Sequence, residues 1–317
     1  MSLIEPRIFY KPFEYQTAFE YYKNQHRAHW LADEIPLASD LNDWKLKLTE
    51  SEKNLIGNIL KSFAQTEVHV NDYWSTKVSI WFPKPEIQAM ARAFADFESI
   101  HAEAYARLNE ELGLDNFQAF LEDEASKAKI ERLIEVPGES LEERALSLAI
   151  FSAFTEGVNL FSSFAVLMSF QLRNLMKGTA QIVEWSVRDE SLHSQAGCWL
   201  FRTLLQEQPH LDTNSIRDKV IEACHLSVQL EFDFIDKAFE MGNIEGLTKE
   251  QLKNYIKARA NEKMVELGYK AIYNDIDPNL LKQIEWFGHL TSGKSHQDFF
   301  AQRPTNYAKS TADWSDL

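Results

Sequence analysis

The sequence predicts an all-α protein built from long helices. Glycine and proline are sparse, with 11 and 9 copies among 317 residues, so few turns interrupt the chain. Apolar residues recur at spacings of three and four over long stretches, which is typical of amphipathic helices. No stretch shows a convincing strand pattern. The length allows one large domain or two small ones, and a hydrophobic fraction of 44% allows a sizeable core.

Capping residues and helix breakers divide the first half of the chain. Residues 1–28 have an aromatic, proline-punctuated composition that predicts an arm rather than a regular element. Thr49 is a predicted N-cap, with acidic residues in the first turn of a helix that runs to about residue 78. Pro85 begins the next helix, and Gly113 is its predicted stop.

The second half is predicted to contain four long helices and a tail. A polar helix or helix pair covers 116–134, and Ser140 with Glu143 forms a capping box for the apolar helix that follows. The long helices are predicted at 141–172, 173–205, 213–241 and 248–273. Helical periodicity is lost after residue 291. We therefore expect one helical domain over 1–291 and a flexible C-terminal tail over 292–317.

Composition excludes several classes of protein. A net charge of −15 and a pI near 5.1 argue against nucleic acid or an anionic membrane as a partner. The two cysteines form no Cys-x-x-Cys motif, so neither a disulfide framework nor a zinc ribbon is indicated. The N-terminus lacks a signal-peptide pattern, and the most apolar run, 145–170, carries Glu156 and Asn159 midway. We expect a soluble cytoplasmic protein without a membrane span.

The stretch 94–105, FADFESIHAEAY, holds the first candidate site. On a helix, Glu98, His101 and Tyr105 share one face, because offsets of three and seven residues keep them within roughly 60° of one another. The neighbouring residues on that face are apolar, so the face should point inward. A buried carboxylate and imidazole are costly without compensation, and a metal ion would compensate both.

The chain contains the same pattern twice. Glu67 precedes the Glu98-x-x-His101 motif by 31 residues, and a second lone glutamate precedes a second such motif by 34 residues. Each copy consists of a helix with an inward glutamate, followed by a helix with Glu-x-x-His. The second copy comprises Glu156, Glu190 and His193.

This donor set is the known one of ferritin-like di-iron and di-manganese carboxylate bundles. Four carboxylates balance the charge of two divalent ions, and two imidazoles supply one nitrogen ligand to each. Oxygen donors with imidazole suit iron or manganese better than a thiolate-preferring metal. The alternative is a set of ordinary buried ion pairs, but no matching inward Lys or Arg residues appear on these helices. We therefore predict a ferritin-like bundle around a dinuclear metal site.

Tyr105 admits two interpretations. It lies one turn after His101 on the same face, so its phenol should sit near one metal ion. In a dry pocket beside an oxidising metal pair, a phenol can be converted to a radical. In the other interpretation, it is a core tyrosine that hydrogen-bonds a ligand.

Over nearly its whole length, the sequence resembles the small, radical-generating subunit of class I ribonucleotide reductase. The resemblance runs from HWLADE through FESIHAEAY and SVRDESLH to RPTNY in the tail. It implies a radical position at Tyr105 and a link from His101 through Asp189 to Trp30. It also implies relay of the oxidising equivalent through Tyr307, with Trp314 and Leu317 as tail anchors. The metal ligands that it implies are Glu67, Glu98, His101, Glu156, Glu190 and His193.

The function implied is that of an oxidoreductase subunit, active only with its large subunit. An oxidising equivalent stored as a tyrosyl radical or a high-valent metal would pass to the large subunit, which reduces ribonucleotides to deoxyribonucleotides. The resemblance further implies a homodimer and docking on the large subunit through the C-terminal tail. It does not decide whether a flavoprotein activates the metal site. The alternatives are a ligand-binding dinuclear metal oxidase or hydroxylase on the same bundle, and an iron-storage or purely structural bundle.

The sequence does not decide which two metals occupy the site. Glu67 stands where the commonest di-iron members carry aspartate, and glutamate there resembles manganese-using branches. Tyr105 is nevertheless retained. Two ions per chain are expected, as Fe/Fe, Mn/Fe or Mn/Mn.

Overall fold

The computed structural model describes residues 2–114, 116, 138–242 and 244–291. Over these residues the chain is helical, and the only strand-like pairing is an isolated bridge between Ile244 and Leu247. The all-α prediction is confirmed. The α-helices of six or more residues are α1 (Gln16–Arg27), α2 (Ala38–Leu46), α3 (Glu50–Asp72), α4 (Pro85–Glu111), α5 (Leu141–Leu148), α6 (Phe161–Ser169), α7 (Lys177–Glu207), α8 (Asn214–Ala238), α9 (Lys249–Glu266), α10 (Pro278–Gln283) and α11 (Glu285–Thr291).

Helices α3, α4 and α7 surround the interior of the bundle. Helix α4 packs along α3 and α1, while α7 packs against α6 and the segment that follows α5. Within the described ranges, no helix has both the length and the apolar character needed to cross a bilayer.

The predicted helix starts at Thr49, Pro85 and Ser140 depend on neighbouring residues and are confirmed. Thr49 accepts a hydrogen bond from the backbone N–H of Glu52 and completes a capping box, and Ser140 does the same with Glu143. Pro85 occupies the first turn of α4. That helix ends before Gly113, whose φ of +74° is in the left-handed region that favours glycine.

The prediction of one continuous helix over 141–172 is wrong. After α5 the chain forms a π-helical segment, Ala149–Thr155, and then turns over residues 156–160 before α6 begins. The N–H groups of Glu156 and Asn159 bond to carbonyls five residues back, at 3.0 and 2.9 Å. The carbonyl of Gly157 accepts a hydrogen bond from Arg259 Nε of α9 at 2.8 Å. The helix therefore unwinds at Glu156, with a side chain from another helix satisfying part of its backbone.

Five other predictions need correction or fall outside the described residues. The predicted arm, 1–28, contains α1, which packs against α4. The helix predicted over 173–205 begins at Lys177, and the one predicted over 248–273 ends at Glu266, because Gly268 turns the backbone with a φ of +93°. The tail, 292–317, and the polar helix over 116–134, apart from residue 116, lie outside the described residues.

The start of α7 depends on a cap supplied by α2. Asp40 accepts hydrogen bonds from the backbone N–H groups of Gly178 and Thr179 at 2.9 and 2.7 Å, and from the Thr179 hydroxyl at 2.8 Å. Asp40 is 1% exposed, so these donors have little access to water. Since α7 carries Glu190 and His193, this cap helps to hold the helix of these two predicted ligands in place.

We expect Asp40→Ala to lower the free energy of unfolding by about 3 kcal/mol, because it leaves three donors at a buried helix start without their acceptor. Urea unfolding followed by circular dichroism measures the change. Asp218→Ala, on the exposed face of α8, is the matched control and should shift stability by less than about 0.5 kcal/mol. Equal losses in the two variants would contradict a capping role for Asp40.

Candidate metal centre

Four parts of the chain bring the six predicted ligands together in the interior. Helix α3 supplies Glu67, α4 supplies Glu98 and His101, and the unwound turn after the π-helical segment supplies Glu156. Helix α7 supplies the last two. All six side chains have an exposed fraction of zero: Glu67, Glu98, His101, Glu156, Glu190 and His193.

These side chains form two overlapping donor groups. In each group, one ligand atom from every member lies within 4.8 Å of the others. The first group is Glu67, Glu98, His101 and Glu190, and the second is Glu98, Glu156, Glu190 and His193. Two carboxylates, Glu98 and Glu190, belong to both groups. Glu98 and Glu190 could therefore serve two cations at once, one held in each group.

Glu98 lies between the two imidazoles. Its Oε2 is 3.0 Å from Nδ1 of His101, and its Oε1 is 2.6 Å from Nδ1 of His193. Nδ1 of His101 also lies 3.2 Å from Oε1 of Glu190. Both imidazoles therefore present Nδ1 to the carboxylate cluster.

The cluster fits a pair of metal ions because many of its polar atoms have no hydrogen-bond partner. Buried oxygens of this kind are costly, and the alternative of ordinary ion pairs would have satisfied them. The oxygens without any such partner are Oε1 and Oε2 of Glu67, Oε2 of Glu156 and Oε2 of Glu190, whereas Oε1 of Glu98 and Oε1 of Glu190 have only the imidazole contacts given above.

The pKa values of the carboxyl groups reflect the same need for positive charge. Burial, together with the neighbouring carboxylates, raises the pKa of Glu67 and of Glu156 well above the usual range. Burial and then Glu98 raise the pKa of Glu190 to about 7. For Glu98 burial acts in the same direction, but His193 and His101 outweigh it and lower the pKa to about 2. Bound cations would allow all four carboxylates to ionise.

Behind the cluster, Asp189 connects one imidazole to a buried indole. Its Oδ2 accepts a hydrogen bond from Trp30 Nε1 at 2.8 Å and lies 3.3 Å from Nε2 of His101. The Trp30 ring stacks on His101 at 5.8 Å between centroids. The structure thus brings together the His101–Asp189–Trp30 set that the sequence resemblance implied. Tyr307 lies outside the described residues.

Sequence reasoning missed two side chains that contact this cluster. Gln25 of α1 donates from Nε2 to Asp189 Oδ1 at 3.1 Å, and its Oε1 lies 2.9 Å from Nε2 of His193. Trp74 donates from Nε1 to Glu156 Oε1 at 2.6 Å. Trp74 follows Glu67 by two helical turns, so helical periodicity could have suggested it. Gln25 gave no comparable signal, because its segment was predicted to be an arm.

Tyr105 is fully buried beside the first donor group. Its ring packs on Phe63 with centroids 4.8 Å apart, and its hydroxyl has no hydrogen-bond partner. Burial, with a contribution from Glu67, raises the pKa of the phenol well above its usual value and outweighs the opposing effect of His101. Leu160 and Ser186 are also buried. These observations agree with a dry pocket, whereas the radical role of Tyr105 stays a prediction.

Comparisons with known proteins give the family. The family described as "Ribonucleotide reductase, small chain" matches residues 7–279. A relative from Invertebrate iridescent virus 3, named "Probable ribonucleoside-diphosphate reductase small subunit 048L", is 34% identical over 99% of this chain and 88% of its own length.

Solved structures show the same fold. The ribonucleotide reductase R2 subunit from Clostridium botulinum is 20% identical, with a TM-score of 0.79 over 86% of this chain and 88% of the other. The dimanganese(II)-NrdF of Streptococcus sanguinis is 20% identical, with a TM-score of 0.76 over 88% of this chain and 99% of the other. The likeness confirms the predicted ferritin-like bundle. The chain therefore belongs to the ribonucleotide reductase small-chain family and is an oxidoreductase subunit, the small subunit of ribonucleoside-diphosphate reductase.

Proposed function

We propose that this small subunit holds two metal ions between its six buried ligands and stores the oxidising equivalent that the large subunit uses. The observation that carries the proposal is the pair of overlapping donor groups with unpartnered carboxylate oxygens. When bound, the metal pair supplies the redox capacity to store one oxidising equivalent. Iron and manganese both suit carboxylate and imidazole donors, and either metal or a mixture of the two is our proposed occupant.

The residues around the cluster position the ligands and exclude water. Asp189 accepts a hydrogen bond from Nε2–H of His101, so the other ring nitrogen, Nδ1, is the one that can bind a metal ion. Although burial raises the pKa of Asp189, interactions with Arg188, His101 and Trp30 outweigh it, so the carboxylate stays ionised. A charged acceptor at this point ties the imidazole and the indole into one hydrogen-bonded unit.

This unit is the proposed first part of the transfer route. The Trp30 ring is 2% exposed and stacks on His101, so a buried, oxidisable indole lies directly beside this imidazole. Beyond Trp30, the proposed route continues through Tyr307 of the tail. We further propose that the subunit forms a homodimer in the cytoplasm and docks on the large subunit through Trp314 and Leu317. An activating flavoprotein is compatible with this scheme.

The metal pair and the radical are tested together. Metal-free protein is loaded under defined conditions with iron, manganese or both, then examined by metal analysis and electron paramagnetic resonance. Two ions per chain with a coupled signal are expected. A mononuclear signal at every loading would contradict the proposed site.

Tyr105→Phe is expected to remove a tyrosyl signal from the active sample and to cut nucleotide reduction to background, if Tyr105 stores the oxidising equivalent. The phenyl ring keeps the packing on Phe63 but has no hydroxyl to lose a proton. The control is Tyr273→Phe, which alters a half-buried tyrosine whose hydroxyl lies 3.0 Å from Nδ1 of His225, and it should keep the signal. Full activity in Tyr105→Phe, with a coupled metal signal, would assign storage to the metals instead.

Deletion of residues 304–317 should abolish nucleotide reduction without changing the metal content. The deletion removes Tyr307 and both proposed anchors, whereas all six metal ligands lie in the helical domain. Activity assays with the large subunit, with binding of the two subunits measured in parallel, separate docking from transfer. A truncated chain that keeps its activity would show that the tail has neither role.

A further inference from the structure

The two imidazoles of the cluster have different partners behind them. Nε2 of His101 faces a carboxylate, Asp189 Oδ2, at 3.3 Å, whereas Nε2 of His193 faces the amide oxygen of Gln25 at 2.9 Å. The amide cannot be reversed without cost, because Gln25 Nε2 donates to Asp189 Oδ1 at 3.1 Å. One imidazole is therefore backed by an anion and the other by a neutral group that a second hydrogen bond holds in place.

The two unshared carboxylates also differ. Glu67 belongs only to the donor group of His101, and both of its oxygens are unpartnered. Glu156 belongs only to the group of His193, and its Oε1 accepts the Trp74 N–H at 2.6 Å. Glu67 can offer two oxygens to a cation, while Glu156 has only Oε2 unpartnered.

From these two differences we infer that the His193 position is the weaker of the two cation sites, because the Gln25 amide supports its imidazole less than a carboxylate would and Trp74 already occupies one oxygen of Glu156, so that two ions bind in a fixed order. A carboxylate partner increases the donor strength of a metal-bound imidazole more than a neutral amide does. Both contacts therefore favour the His101 position. The inference rests on the proposed dinuclear site and adds the order in which its positions fill.

Removing each contact should move the second binding step in opposite directions. Gln25→Leu takes away the acceptor of the His193 N–H, and the ring proton can then move to Nδ1, which faces Glu98 and must be free to bind a metal. Trp74→Phe takes away the donor to Glu156 Oε1 and releases that oxygen for the cation. The first variant should weaken the second step, and the second variant should strengthen it.

The test is anaerobic titration of the full metal-free chain with Mn²⁺, in which a competing chelator resolves the two steps and electron paramagnetic resonance distinguishes single from coupled ions. Wild type should bind two ions in sequence. Gln25→Leu should weaken the second step by about 10- to 100-fold, and Trp74→Phe should tighten it by about tenfold. The first step should be unchanged in Trp74→Phe, and in Gln25→Leu it should shift less than the second, because Gln25 also donates to Asp189 Oδ1. Gln25→Asn, whose amide is one methylene too short, should behave like Gln25→Leu and serves if leucine prevents folding.

Trp81→Phe is the matched control, because Trp81 packs on Tyr73 at 6.0 Å, much as Trp74 does at 5.8 Å, while the Trp81 ring also faces Arg144. It should leave both steps unchanged. Equal shifts of both steps, or a shift of the first step alone, in the Gln25 and Trp74 variants would overturn the inference while leaving the dinuclear site intact. Failure of the wild-type chain to bind two ions would instead overturn the proposed function.

Discussion

Glu98→Ala is expected to abolish the binding of both metal ions and to reduce nucleotide reduction to background. Glu98 belongs to both donor groups, and its two oxygens face the two imidazoles at 3.0 and 2.6 Å. It is also the carboxyl group with a pKa lowered to about 2, so it carries negative charge before any cation arrives. Its loss removes the shared anion, and we expect the affinity for each ion to fall by at least about 100-fold.

The measurement is the number of Mn²⁺ or Fe²⁺ ions bound per folded chain, followed by activity with the large subunit. Glu103→Ala is the control, because Glu103 lies on the same helix with its side chain exposed. The control should bind two ions. If Glu98→Ala also bound two ions with unchanged affinity, the shared carboxylate would have no role in metal binding.

The sequence predicted those parts of the fold that depend on neighbouring residues. The capping boxes at Thr49 and Ser140, and the glycine stop at Gly113, involve contacts within a few residues, so a single sequence contains the whole signal. The cluster was predictable for a related reason. A Glu-x-x-His spacing fixes two donors on one helical face, and two such faces with two further glutamates define a common interior.

The parts that sequence reasoning missed depend on contacts between distant residues. The helix unwinds at Glu156, where Arg259, far along the chain, bonds to the carbonyl of Gly157. Asp40 caps a helix that begins more than 130 residues later. Gln25 reaches the cluster only because α1 packs against α4 and α7. Local propensity contains no information about such contacts, so the segment of α1 was predicted to be an arm.

Trp30→Phe is expected to lower nucleotide reduction by at least about 100-fold while the protein still binds two metal ions. The substitution removes the N–H that donates to Asp189 Oδ2 at 2.8 Å and replaces an oxidisable indole with a phenyl ring that is much harder to oxidise. The His101 side of Asp189 is unchanged, so its 3.3 Å contact with the metal-facing imidazole remains. Metal content, the coupled metal signal and turnover with the large subunit are measured on the same sample.

Asp189→Asn separates a transfer role for Trp30 from a positioning role. The asparagine keeps an oxygen that can accept the indole N–H, but it removes the anion behind His101, so metal affinity should fall by about 10- to 100-fold. Trp30→Phe should leave that affinity unchanged. The control Trp199→Phe alters an indole that packs on Tyr15 and Tyr21 and should affect neither quantity. If Trp30→Phe lost metal as Asp189→Asn does, the indole would act by orienting Asp189. If it kept both metal and turnover, the oxidising equivalent would leave the site by another route.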